Sequence, residues 1–315
     1  MKAIIINQYG SDLELQLSDQ PMPVVGEDEV LVKVYAAGVN PSDWRMRVGR
    51  FAEIYPHTFP LILGNDISGV VEQVGSRVTK FKVGDAVFGL TGLDELGGYA
   101  EYISINEKNL SHKPNALSFV EAASIPMVSL TAWQSLIDRG SLKAGDRVLI
   151  HAGAGGVGSF AIQLAKVIGA YVITTARKPN HTFVESLGAD EIIDYQSEDF
   201  TKIVSDVDIV LDTIGGEVMT NSFKVLKPGG KLISIVSGPI SPEIQKKAEE
   251  YHVHAEFVSH LPRGDQLDQI GSYYQDGKIK TVVQRTFSLS EVRKAHQLIE
   301  TGHSRGKIVL DLKSD

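Results

Sequence analysis

Three glycines between a strand pattern and a helix pattern are the residues of this chain best placed to do chemistry. From Arg147 the sequence reads R-V-L-I-H-A, then Gly153-Ala154-Gly155-Gly156-Val157-Gly158, then S-F-A-I-Q-L-A-K-V-I-G, then A-Y-V-I-T-T-A-R. Apolar, β-branched residues run into the glycine turn, after which Val157, Ala161, Leu164 and Ile168 recur at the spacing of one buried helix face. The spacing G-x-G-x-x-G lets the backbone turn tightly, approach a pyrophosphate with no Cβ in the way, and pack helix on strand. Unpaired N–H groups and about half a positive charge at the helix N-terminus then favour an anion. The stretch therefore predicts a βαβ unit with a dinucleotide at Gly153, Gly155, Gly156 and Val157.

The end of the second strand selects the dinucleotide. A carboxylate about 20 residues past the glycines would bond the adenosine ribose 2′-OH and repel a 2′-phosphate. None is present. Thr175 is followed after one residue by Arg177 and Lys178, a hydroxyl and two cations where a phosphate dianion would lie. The expected cofactor is NADPH.

Composition narrows the remaining classes. The 315 residues are 43% hydrophobic and 22% charged with net charge −8, which argues against a general nucleic-acid or membrane-surface partner. There are no cysteines, so disulfides, thiolate nucleophiles and thiolate-bound metals are excluded. The histidines show no close ligand spacing; His252-x-His254 is the nearest pair, and no metal site is expected. The N-terminus M-K-A-I-I-I-N-Q-Y-G reads as a strand entering a turn, and a cytoplasmic protein is the expectation.

The elements that must position these residues follow in order. To about Asn115 the pattern is short strands and turns: Lys2 to Tyr9, Leu13 to Leu17, Glu29 to Ala37, Gly69 to Val74, Ala86 to Gly89 and Tyr99 to Ile105. This predicts an all-β barrel or sandwich. The texture changes at Ser118-x-x-Glu121, a capping box that should start a helix. Strands at 191–195, 207–215, 230–236 and 255–259, alternating with helix-length spacers, make a doubly wound parallel sheet and an α/β fold overall. Such sheets bind ligands at the carboxyl ends of their strands, which marks Asp212, Thr213, Ile214 and Val236 as neighbours of the nicotinamide half. The tail, with I-K-T-V-V-Q-R-T-F and R-G-K-I-V-L-D-L, has no place in that sheet and should complete the β domain. The expected domains are 1–119 with 261–315, and 120–260.

This arrangement resembles the medium-chain dehydrogenase/reductase superfamily, and within it the zinc-free quinone oxidoreductase branch related to zeta-crystallin. The resemblance rests on Gly38-Val39-Asn40-Pro41-Ser42-Asp43, Leu63-Gly64-Asn65-Asp66-Ile67-Ser68-Gly69, Val83-Gly84-Asp85-Ala86-Val87, Gly98-Tyr99-Ala100-Glu101-Tyr102, the glycine turn and G-K-I-V-L near the end. It implies a discontinuous GroES-like catalytic barrel and a Rossmann nucleotide domain. Where the zinc branch has a cysteine and a His-Glu pair, this chain has Asn40 and Asn65-Asp66. The resemblance also implies Thr131 near the nicotinamide, Tyr195 beside the 2′-phosphate, Gly306 and Lys307 closing over the cofactor, and a homodimer paired through a late strand near Ala255 to Ser259. One departure stands out. Where relatives often carry substrate-facing tyrosines, this chain has Arg45 and Phe51, and Tyr55 falls in a local insertion.

The expected function is transfer of hydride from NADPH to a small conjugated acceptor, a quinone or an α,β-unsaturated carbonyl, because a simple ketone would lack a metal to polarise it. Asn40 is the candidate hydrogen-bond donor to the acceptor oxygen, or an amide capping the loop after Ala37; Tyr55 is a candidate proton donor. Reduction of a 2-enoyl thioester or alkenal, or a non-catalytic NADPH-binding sensor, are the alternatives.

Overall fold

Short runs of Val, Ile and Leu broken by turns become strands wherever a long-range partner covers both backbone edges. The first eight are β1 (Lys2–Ile6), β2 (Gln16–Asp19), β3 (Glu29–Val39), β4 (Leu61–Ile62), β5 (Asp66–Val74), β6 (Ala86–Leu90), β7 (Tyr102–Asn106) and β8 (Leu110–His112). A small sheet has the order β2-β1-β4, while β3 is the spine of the larger one, paired antiparallel with both β5 and β7. After β3 comes α1 (Pro41–Arg47), a helix the sequence reading lacks; Asn40 is its N-cap and Pro41 its first residue. At Ser118 the expected helix starts as α2 (Phe119–Ala123), with Ser118 and Glu121 exchanging both bonds of a capping box. A second helix, α3 (Pro126–Trp133), follows directly.

This computed structural model describes residues 1–236 and 238–313, in two compact units, Met1–Met127 with Leu261–Asp315, and Val128–His260. The division falls at Met127 rather than after residue 119 because α2 packs on β3 and β5.

In the second unit β9 (Arg147–Ile150), β10 (Tyr171–Thr175), β11 (Glu191–Ile193), β12 (Val207–Asp212), β13 (Leu226–Ser234) and β14 (His254–Phe257) form one parallel sheet in the order β11-β10-β9-β12-β13-β14. The helix α4 (Gly156–Ile168) joins β9 to β10, burying Ala161 and Leu164 fully and Val157 and Ile168 partly. The tail then returns to the first unit: β15 (Val283–Ser288) lies beside β16 (Lys307–Asp311), and β16 pairs antiparallel with β3. Gly306 turns the chain into β16 with φ +76°, and a Cβ there would meet Val282 Cγ1 and O at 2.4 Å.

Arg47 fastens the C-terminal helix Val292–Glu300 to the N-terminal part of this unit. Only 1% exposed, it donates to Gly10 O, bonds His296 Nδ1 at 3.1 Å and pairs with Glu300 at 2.8 Å. An arginine can only donate, so His296 Nδ1 accepts and the ring is neutral. Burial, aided by the Arg47 charge, lowers the His296 pKa from 6.5 to about 3. The unfolded imidazole takes up its proton first, so the contribution of this group is full above pH 6.5 and is lost as pH falls toward 3. The urea midpoint should drop between pH 7 and about pH 4.5, and His296→Gln should shrink that drop. A variant with the full wild-type pH slope would refute this assignment.

Candidate active site

The glycine turn of the second unit is shaped by bonds the motif alone does not reveal. A Cβ on Gly153 would meet Thr174 Oγ1 at 2.0 Å, and one on Gly158 would meet Ala152 O at 2.4 Å. Between them Gly155 is more open, with one neighbour at 3.3 Å, and it begins α4 with no side-chain cap. Ala152 is in the left-handed region at φ +50°, where its N–H donates to Thr175 Oγ1. The first N–H groups of the helix, Gly156 and Val157 among them, are therefore left for a ligand. This turn fits the phosphates of a dinucleotide.

Several expected ligands in this unit turn out to bond the protein itself. The buried Thr175 hydroxyl serves Ala152 and lies 3.3 Å from His151 Nδ1. Asp212 accepts from Ile214 N, Gly215 N and Ser234 Oγ, building the turn after β12. Thr213 Oγ1 donates to His151 O. His151, which the sequence reading did not single out, is 1% exposed and donates from Nε2 to Ser222 Oγ, whose own proton goes to Val218 O. Burial lowers its pKa to about 4, against the opposing Asp212 charge. Thr131 is buried in α3.

Other expected ligands remain available. Arg177 is half-buried and Lys178 exposed, and neither side chain forms an ion pair among the described residues. Tyr195 is 51% and Ile214 52% exposed, and Val236 is half-buried. Tyr195 is thus no core residue.

In the first unit the polar residues gather around one lysine. Lys307, 5% exposed, donates to Val39 O (3.0 Å), Asn40 Oδ1 (2.6 Å) and Asp66 Oδ2 (3.0 Å). Asn40 Nδ2 donates to the same Asp66 oxygen, while Met127 N–H donates to the other. All three ammonium protons are thereby used inside this unit, where the resemblance had implied a cofactor contact for Gly306 and Lys307. Asn40 caps α1 through its backbone, its N–H donating to Asp43 Oδ2, which also accepts from Tyr99 Oη at 2.6 Å. Burial pushes the Asp43 carboxyl up to about 6 despite the Tyr99 bond that lowers it. As a candidate donor, Asn40 retains one amide N–H beyond these bonds.

The positions that the resemblance matches to zinc ligands do not suit a metal. Asn40 and Asp66 already surround an ammonium, and Asn65 Nδ2 points at Thr91 O, Thr91 Oγ1 and Gly92 O. Asn65 Oδ1 is buried with no hydrogen-bond partner among the described residues. Tyr55 is half-buried against the core, edge-on to Phe51 at 6.5 Å.

A β-rich unit closed by the returning tail, together with a parallel sheet whose turn fits a dinucleotide, defines an NAD(P)H-type oxidoreductase. Residues 26–115 match the alcohol dehydrogenase GroES-like domain, and residues 187–310 the zinc-binding dehydrogenase family model. A mitochondrial NAD(P)H oxidoreductase of Danio rerio is 34% identical, covering all of this chain and 92% of the relative. A 2-methylene-furan-3-one reductase of Solanum lycopersicum is 37% identical over 98% of this chain and 79% of its own. The quinone oxidoreductase structure from Coxiella burnetii superposes with a TM-score of 0.94 at 40% identity, over 99% of both chains. The chain belongs to the medium-chain dehydrogenase/reductase superfamily, in its quinone oxidoreductase-like family.

Removing one member of a buried ion pair leaves the other uncompensated, a loss of roughly 3–5 kcal/mol. Lys307→Met should show a loss of that size in chemical denaturation, and Lys307→Met with Asp66→Asn should recover a good part of it. Additive losses in the double variant would disprove the coupling.

Proposed function

We propose that this protein is an NADPH-dependent, zinc-independent reductase of quinones or α,β-unsaturated carbonyls. The observation that carries the reading is the cluster of Lys307, Asn40 and Asp66, an ammonium held by the residues that match a zinc site elsewhere in the superfamily. Without a Lewis acid a simple ketone is poorly polarised, whereas a quinone or enone spreads the incoming charge over its own conjugation. Bound NADPH would supply the hydride; the acceptor gains that hydride and a proton from water, and NADP⁺ remains. Gly155, Gly156 and Val157 would hold the phosphates, and Arg177 and Lys178 the 2′-phosphate. We place the acceptor at the segment from Asn40 to Tyr55, with the free Asn40 N–H as donor to its oxygen. The names of the tomato relative and the Coxiella structure, an exocyclic enone reductase and a quinone oxidoreductase, support this acceptor class.

NADPH oxidation should be seen with a quinone or an enone and not with a saturated ketone. Arg177→Ala should raise the KM for NADPH by about tenfold or more and leave NADH nearly unchanged, since charge-assisted bonds to the 2′-phosphate are lost only in the former. Equal losses with both cofactors would make Arg177 structural, and no turnover with any acceptor would leave a binding protein.

We also propose a homodimer. At the sheet edge β14 pairs, among the described residues, only with β13, which would leave one row of backbone groups for a second copy across a two-fold axis. Light scattering at micromolar concentration should give twice the chain mass of 34.3 kDa, and a monomer would rule this out.

A further inference from the structure

Helix α1 and the turn after it carry three arginines, and among the described residues only Arg47 has an anionic partner. Arg45 and Arg50 make no ion pair among the described residues, yet both sit against the indole of Trp44, their Cζ atoms 5.6 and 4.9 Å from its ring centroid. Arg45 is half-buried, and its Nε is closed to solvent without an acceptor. Burial first, and then the Arg50 charge, press its pKa down. The acids of the same segment give no relief, since Asp43 is bound to Tyr99 and Asn40, and Glu53 is exposed with neither arginine as its ion-pair partner.

An arginine on an open surface turns its nitrogens to water; here one nitrogen cannot reach it, and a like charge stands nearby. A buried donor without an acceptor is costly, and more so when charged. Nε is as closed to a ligand as it is to water, so what a carboxylate can do here is accept two N–H bonds from the remaining guanidinium nitrogens and neutralise the pair of cations. The apolar neighbours have a matching character. Trp44, Phe51 and Tyr55 are half-buried against the core; Trp44 lies against the two cations, and Phe51 and Tyr55 pair edge-on a few residues further along the same segment.

Resting on the reductase reading above, we infer that Arg45 and Arg50 form a carboxylate subsite, and that the acceptor is a planar conjugated carbonyl compound carrying a carboxylate. Its conjugated part lies on the rings of Trp44, Phe51 and Tyr55, toward Asn40 at the start of α1.

The test compares trans-4-oxo-2-pentenoic acid with its methyl ester under NADPH, in wild type, Arg45→Met and Arg50→Met. Wild type should favour the acid by about tenfold or more in kcat/KM, mostly through KM and less so at high salt. Each variant should lose most of that preference, the acid's kcat/KM falling by far more than the ester's. A wild type that treats acid and ester alike, or uses only a neutral quinone, overturns the inference. So does a variant whose KM for NADPH rises as much as that for the acid, because the arginines would then serve the cofactor. Calorimetry with 4-oxopentanoate, the saturated analogue, reads the subsite without turnover. Binding should be at least about tenfold weaker in both variants, and unchanged binding overturns the subsite. If no acceptor is reduced while 4-oxopentanoate binding still depends on Arg45, the subsite stands and the reductase reading falls.

Discussion

The ammonium of Lys307, enclosed by Asp66, Asn40 and Val39 O, is the interaction on which the first unit depends. It joins the first residue of β16 to the end of β3 and the start of β5, three strands far apart in sequence. Hydrophobic alternation opposes a one-residue slip, which turns every side chain to the wrong face, but a two-residue slip keeps the faces and escapes it. A single ammonium that must find a carboxylate, an amide oxygen and a carbonyl permits only one alignment. The desolvation of such a pair offsets much of its Coulomb gain, so its weight lies in specifying the arrangement more than in net stability.

From this cluster the order spreads outward through hydrogen bonds. Asp66 takes the N–H of Met127, in the first turn of α3, while Asn40 starts α1, whose Asp43 is clamped by Tyr99. Gly38 lies beside it without a Cβ because one would sit 2.6 Å from both Ala123 O and Asp66 Oδ2. Further along α1, Arg47 reaches the C-terminal helix through His296 and Glu300. The segment proposed to meet the acceptor thus projects from a rigid base, as positioning catalysis requires.

The second unit divides its polar groups differently. Thr175, His151, Asp212, Thr213 and Ser222 bond one another and the backbone, and so hold the turns at the carboxyl ends of β9, β10 and β12. The groups left outward are backbone N–H donors at the start of α4 and the two cations after β10. Rigid turns with unsatisfied donors are preorganised for an anion, because little reorganisation accompanies binding.

The sequence by itself determined what depends on neighbours along the chain. Alternation, glycine spacing and the Ser118 capping box were sufficient for the βαβ unit, the parallel sheet, the helix after Ser118 and the glycine turn, since each rests on contacts within a few residues. The discontinuous β domain was also readable, because the tail's strands broke the alternation. Helix α1 was not, since seven residues are too few for a 3.6-residue period to show, although Asn40-Pro41 is a start signal. Only the tertiary structure decided which polar side chains face inward. Thr175, Asp212, Asn40 and Lys307 have the chemistry of ligands, and nothing local distinguishes them from Arg177 or Arg45. Lys307 bonds Val39 across 268 residues, and Thr175 bonds Ala152 across 23. A buried donor or acceptor takes whatever partner the fold brings to it, and that partner is set by packing rather than by sequence spacing.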